Sequence, residues 1–162
     1  MKRLGFVLLV LLACEEHGTV TNDFTGNEAV YSLQAGSEYE VSGIVTVKEK
    51  ADGTSYIITE LNGTEGELFH PVHLHLGNVG TPDAEIAALL NPIKGSIGKS
   101  ETTVSHLANE TAISYTELIA LNACIKVHLA ESGTGRDIVL AGGNIGSAVD
   151  NTNARSFLAA CK

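Results

Sequence analysis

The sequence predicts an all-β fold: an antiparallel Greek-key sandwich or barrel of about seven to eight strands, with one or two short helical turns. Three observations lead there. Apolar and polar residues alternate with a period of two over several short stretches. Turns containing Gly and Asp separate those stretches, in a chain with 17 Gly and no Trp. No segment carries a long stripe of period 3.6, which excludes a helical bundle and a doubly wound α/β sheet.

Residues 1–13 read as a lipoprotein signal peptide. MKRLGFVLLVLLAC has Lys2 and Arg3, then an apolar run from Leu4 to Ala13. That run is shorter than the roughly 20 apolar residues of a membrane-spanning helix. Leu11-Leu12-Ala13-Cys14 resembles the bacterial lipobox, whose cysteine is lipidated and becomes the new N-terminus. An ordinary cleaved signal is the other reading. Residues 14–25 read as a polar tether and 26–162 as a single domain. The expected location is the cell envelope, with membrane attachment through lipid on Cys14.

In EYEVSGIVTVKEK, Tyr39, Val41, Val45 and Val47 share one parity, while Glu38, Glu40, Ser42, Thr46 and Lys48 share the other. Only Ile44 breaks the alternation of this half-buried strand. Asp52-Gly53 is a hairpin turn signal, and residues 55–61 form the return strand. Asn62-Gly63 and Glu65-Gly66 mark a second turn before a strand over 67–76. Residues 84–92 (AEIAALLNP) have helical spacing after Pro82-Asp83, and read as a short helix, a helical loop or an irregular strand. A strand follows over 101–107, then a short helical turn over 115–121. Residues 124–130 (CIKVHLA) form a strong strand, Gly133-Thr134-Gly135 a turn, and residues 137–141 its partner. The tail after Gly142 reads as loop.

Charge narrows the function. The chain has 10 Lys and Arg against 19 Asp and Glu, a formal charge of -9. Losing Lys2 and Arg3 with residues 1–13 takes -9 to -11. Such a balance argues against nucleic acid, whose phosphates need clustered Lys and Arg. It also argues against an electrostatic hold on anionic lipid. With Cys14 lipidated, Cys124 and Cys161 remain, and an oxidising compartment favours a disulfide between them over two buried thiols. That bridge would close a loop of about 37 residues, contributing about 3–4 kcal/mol in the chain-entropy model.

HPVHLHLG holds three of the six histidines: His70, His73 and His75. Val72, Leu74 and Leu76 share one strand face; His73 and His75 share the other. In CIKVHLA, Ile125, Val127 and Leu129 face the core, and Lys126, His128 and Ala130 face away. Two histidines at i and i+2 lie about 6.5–7 Å apart along the backbone. Their rings can meet on one ion, with nitrogens at about 2.0–2.1 Å. His128 from a second strand would complete a three-nitrogen set for Cu or Zn, which imidazole suits better than Ca or Mg. His70 and His106 are the candidates for a fourth ligand. A solvated strand face is the competing reading. Metal affinity is expected to fall as pH drops through about 6.5, the ordinary imidazole value.

HLHLGNVGTPDAEIAALLNPI resembles a segment of the chordin-type (CHRD) domain family, in which an H-x-H strand precedes Gly-rich turns and a hydrophobic stretch. ELIALNACIKVHLAESGTGRDIVLAGGNIG resembles that family's closing segment. There a Leu-containing turn leads into a strand with a single His, then a Gly-containing turn and a last strand. The similarity covers about residues 38–146. It departs at Arg136-Asp137 and Gly142-Gly143-Asn144, where an R-G-Q ending is more usual. The family's layout is similar to that of copper-zinc superoxide dismutase, an antiparallel Greek-key barrel with copper ligands on an H-x-H strand and a V-H strand. By that resemblance His73, His75 and His128 fall at copper-ligand positions, and Arg155 is loosely similar to a substrate-guiding arginine. Residues 77–105 contain no His, so the resemblance provides no bridging imidazole and no second metal site.

The resulting expectation is an envelope-tethered CHRD-like binding module holding one copper or zinc ion through three histidines. The alternative is a superoxide dismutase-like copper enzyme, which would need a positive approach for its anionic substrate. Neither a G-x-S-x-G elbow nor an H-E-x-x-H helix is present to support a hydrolase.

Overall fold

A computed structural model describes residues 22–149. Residues 1–13, read above as a signal peptide, and Cys14, His17, Arg155 and Cys161 lie outside the described residues. Eight strands run in the order β1 (Phe24–Ala35), β2 (Ser42–Lys50), β3 (Ser55–Asn62), β4 (Phe69–Leu76), β5 (Ile86–Lys94), β6 (Lys99–Val104), β7 (Asn122–His128) and β8 (Val139–Gly146). One helix, α1 (Tyr115–Ala120), precedes β7, and a 3-10 turn, Gly133–Asp137, precedes β8. All strand pairs are antiparallel, and the spatial order is β5-β4-β7-β8-β1-β2-β3-β6.

That order is a Greek key. β1, β2 and β3 form a meander whose outer neighbour is β6. Residues 63–68 then cross to β4, which lies between β5 and β7. The two halves join at β1 and β8, through Gln34 opposite Gly142 and Ala35 opposite Ala141. The far edges meet through Asn91, whose N–H donates to Thr102 Oγ1 at 2.8 Å and whose Nδ2 donates to the Glu101 carbonyl at 2.6 Å. The sheet therefore curls into a nearly closed barrel, and side-chain bonds protect its two free edges.

Alternation fills the barrel. Val45, Val47, Ile57, Val72, Leu74 and Ile125 point inward and are at most 1 % exposed. Burying each such side chain contributes about 1.5–3 kcal/mol. α1 starts where a capping box permits: Ser114 Oγ accepts from the Glu117 N–H, and the Glu117 carboxylate accepts from the Ser114 N–H. Leu118 from α1 packs into the core at 0 % exposure.

Of the readings open for 84–92 the irregular strand is the one found, as β5 over Ile86–Lys94, and two expectations about other elements change. The pairing of β5 with β4 slips between His70 and Val72 and again between Leu74 and His75. Those bulges break strict alternation, so Ala87, Leu90 and Ile93 are buried at a spacing of three that imitates a helix. β1 begins at Phe24, inside the predicted tether, and was not read as a strand. Only Leu33 among its residues is fully buried, so its alternation is faint. The loop expected after Gly142 is instead the second half of β8.

Two glycines of β8 answer to close backbone approaches, Gly143 to β1 and Gly146 to the end of α1 and Leu121. A Cβ on Gly143 would stand 2.1 Å from the Ser32 carbonyl oxygen. Gly143→Ala must push β8 away from β1, at a cost of about 1–3 kcal/mol by analogy with overpacked cores. Urea unfolding of Gly143→Ala should reveal a lower midpoint, whereas Gly133→Ala, where a Cβ would meet open space, costs only the strain of its positive φ of 67°. Equal midpoints for Gly143→Ala and the parent would contradict the close approach.

Candidate metal centre

β4 and β7 are neighbours in register, with His73 opposite Lys126 and His75 opposite Cys124. Their odd- and even-numbered positions alternate across the wall of the barrel. Val72, Leu74, Ile125 and Val127 enter the core; His73, His75, Lys126 and His128 leave it on the outer side. The outward direction expected for the three histidines is therefore found. Full solvation is not: His75 is 0 % exposed and His128 2 %, Lys126 beside them is 0 %, and His73 is half-buried.

The cover comes from two loops. Residues 77–85 fold back over β4, β7 and β8. The Lys126 ammonium donates to the Thr81 carbonyl at 3.1 Å, and the Val79 N–H donates to Asn144 Oδ1 at 2.7 Å. Gly77, at a φ of 87°, starts this reversal in a conformation that other residues resist. The 3-10 turn Gly133–Asp137 covers the other side. A merely solvated strand face does not describe this site.

Each loop also holds one imidazole. His75 Nδ1 lies 2.8 Å from the Ala84 carbonyl oxygen, and His128 Nδ1 lies 2.8 Å from that of Arg136. A carbonyl only accepts, so both Nδ1 atoms carry the proton and both Nε2 atoms keep a lone pair. His128 Nε2 is buried without a hydrogen-bond partner. Such a bare acceptor in a dry site costs about 1–3 kcal/mol. Ring nitrogens of His73, His75 and His128 all lie within 4.8 Å of one another. The ring centroids are 5.6 Å apart for His73 and His75, 5.0 Å for His73 and His128, and 6.3 Å for His75 and His128. Bonds of about 2.0–2.1 Å to one ion place nitrogens roughly 3.3–3.6 Å apart, so the rings would close in by about 1 Å.

The other two histidines are not brought to the cluster. His70 has the parity of Val72 and Leu74, so it faces inward, 5 % exposed, with Nδ1 3.0 Å from the Leu129 carbonyl oxygen. His106 is exposed, in a bridge opposite Ala112, beside Ser105 Oγ at 3.1 Å. Neither belongs to the group of three. Cys124 is fully buried, and its expected disulfide partner Cys161 lies outside the described residues.

A cleft of about 160 Å³ opens onto the cluster. Arg136 lines it, as do the carboxylate-bearing residues Asp83 and Glu131. Sequence reasoning did not single out Arg136, Ala84, Asp83 or the burial of Lys126. The parity of Lys126 was visible; its cover by a loop was not.

Burial is the first cause that lowers the pKa of all three imidazoles. His73 is brought down to about 4, with further lowering by His128, His75 and Arg136. His75 and His128 are also lowered by burial, each opposed by the carbonyl that accepts from its Nδ1. The metal-binding neutral form therefore persists below the ordinary value. This corrects the expectation that affinity falls through about pH 6.5: release shifts to lower pH. Stability follows the same linkage. Between about pH 6.5 and 4 the unfolded chain binds protons that the folded histidines refuse, so stability is present above 6.5 and is lost as pH falls. Metal-free protein should lose urea midpoint between about pH 7 and pH 5, and His73→Ala should flatten that slope. A midpoint that is constant over this window in the parent would refute the shifts.

Compared with known proteins, the chain matches no family model and no curated protein. Fold and cluster together define a class: a Greek-key β-barrel with a three-imidazole cluster on its outer wall.

Proposed function

We propose that this protein holds one copper or zinc ion through His73, His75 and His128. The observation that carries this reading is the bare, buried Nε2 of His128, facing two other imidazoles whose nitrogens lie within 4.8 Å. Three neutral nitrogens in a dry site suit a borderline cation and offer nothing to Ca or Mg. The fixed Nδ1–H groups of His75 and His128 do what outer-sphere bonds do around metals: they set the tautomer and aim the ring. No fourth protein ligand comes from the described residues, which leaves the cleft side of the ion open.

The wider reading is a CHRD-like binding module, tethered at the cell envelope by lipid on Cys14 and braced by a Cys124–Cys161 disulfide. The lipobox-like LLAC motif and the two CHRD-like segments support it. A dismutase-like copper enzyme is the second reading, and Arg136 at the cleft favours it, because that guanidinium is a local cation in an acidic chain. The reaction needs copper to cycle between two oxidation states.

Protein purified without a metal-affinity step should contain close to one equivalent of Cu or Zn. His73→Ala, His75→Ala and His128→Ala should each lose most of it, while His106→Ala keeps it. Folded parent protein that takes up no metal at micromolar concentration would end the proposal. Copper-loaded protein no faster than free copper in superoxide dismutation would end the enzyme reading alone. Mass spectrometry of the membrane fraction should find diacylglyceryl on Cys14, absent in Cys14→Ser; soluble protein with another N-terminus would reject the tether.

A further inference from the structure

The inner side of the barrel mouth carries a histidine that the metal centre does not use. His70 opens β4 on the face of Val72 and Leu74, 5 % exposed. Its Nδ1 donates to the Leu129 carbonyl oxygen at 3.0 Å, so in the neutral imidazole Nε2 is the acceptor. His70 lines a cleft of about 290 Å³ at the end where β4 begins and β7 ends. Barrel mouths are favoured ligand sites, and this volume is at the small end for one.

The cleft is built rather than incidental. Its walls are Val41, Leu68, Leu129 and Leu140. The crossover that carries Leu68 is tied to the β5–β6 hairpin, since Gly95 N–H donates to the Leu68 carbonyl at 2.9 Å and Ser96 N–H to that of Gly66 at 2.6 Å. Tyr39 and Glu65 complete the rim.

The charge is one-sided. The Glu65 carboxylate accepts, the Thr64 and Tyr39 hydroxyls can accept or donate, and no Lys or Arg is among the residues lining the cleft. An anion finds no counter-charge here. A cationic donor with an apolar body finds two acceptors, an aromatic ring for its charge and aliphatic walls for its hydrocarbon. We propose that the barrel mouth binds a small amphipathic primary amine, its ammonium between His70 Nε2 and the Glu65 carboxylate and its hydrocarbon against Leu68, Leu129 and Leu140.

The test is a titration of the purified full chain with 2-phenylethylamine, followed by histidine side-chain 1H–15N spectra. The His70 ring is assigned with His70→Gln. Phenylacetate and 2-phenylethanol are the anionic and neutral controls. The expected result is a saturable shift of the His70 ring, unchanged in His73→Ala, which removes ligation at the metal centre. Glu65 is exposed, so Glu65→Gln keeps the fold and should weaken binding about tenfold, the usual worth of one charge-assisted bond. A shift that never saturates overturns the proposal. So does phenylacetate binding as tightly as the amine, full affinity in Glu65→Gln, or a response confined to His73, His75 and His128.

Discussion

The hydrogen bond between His75 Nδ1 and the Ala84 carbonyl, 2.8 Å long, ties the loop of residues 77–85 to the outer wall of the barrel. The character of the histidine cluster depends on that cover. With the loop in place His75 is fully buried, its tautomer is set, and desolvation holds it neutral. The 3-10 turn Gly133–Asp137 does the same for His128 through the Arg136 carbonyl. The loop of residues 77–85 is held by its buried Val79 and Ala84 and by three polar contacts: the His75 bond, the Lys126 ammonium on the Thr81 carbonyl, and Asn144 on the Val79 N–H.

Lys126 shows how polar groups share that space. It sits between the histidines on β7, at 0 % exposure, and an ammonium so buried needs acceptors to offset lost hydration. The Thr81 carbonyl is one such acceptor. The positive charge also helps to keep His75 and His128 neutral, by the repulsion that would oppose a second cation nearby. A metal ion bound at the cluster must outweigh that same repulsion.

One strand serves both faces of the wall. β4 sends His73 and His75 outward and His70 inward, so a segment of eight residues supplies a metal-competent cluster and a separate barrel-mouth histidine. The period of two keeps the sites apart even though they are close in sequence. The same rule places Val72 and Leu74 in the core between them, and their packing fixes the angles at which the histidines leave the wall.

Much of this was legible from residues alone. Alternation in EYEVSGIVTVKEK and CIKVHLA, the Asp52-Gly53 turn and the short helical turn over 115–121 are local patterns with local causes. Parity also set His73, His75 and His128 on outward faces, because a strand cannot turn two residues at i and i+2 to different faces, and the pairing of β4 with β7 brings the third ring to the other two. Other features needed the whole fold. β5 looked helical because its bulges, created by pairing with β4, shift its buried positions to a spacing of three. β8 looked like loop because Gly143 answers to the nearness of β1 and Gly146 to that of Leu121, which no local pattern encodes. The sequence by itself determined which side chains share a face and hence which imidazoles can meet. Only the tertiary structure decided that this outer face is dry, since burial there comes from loops brought back by long-range hydrogen bonds, and it is dryness that makes the imidazoles neutral, unsolvated ligands.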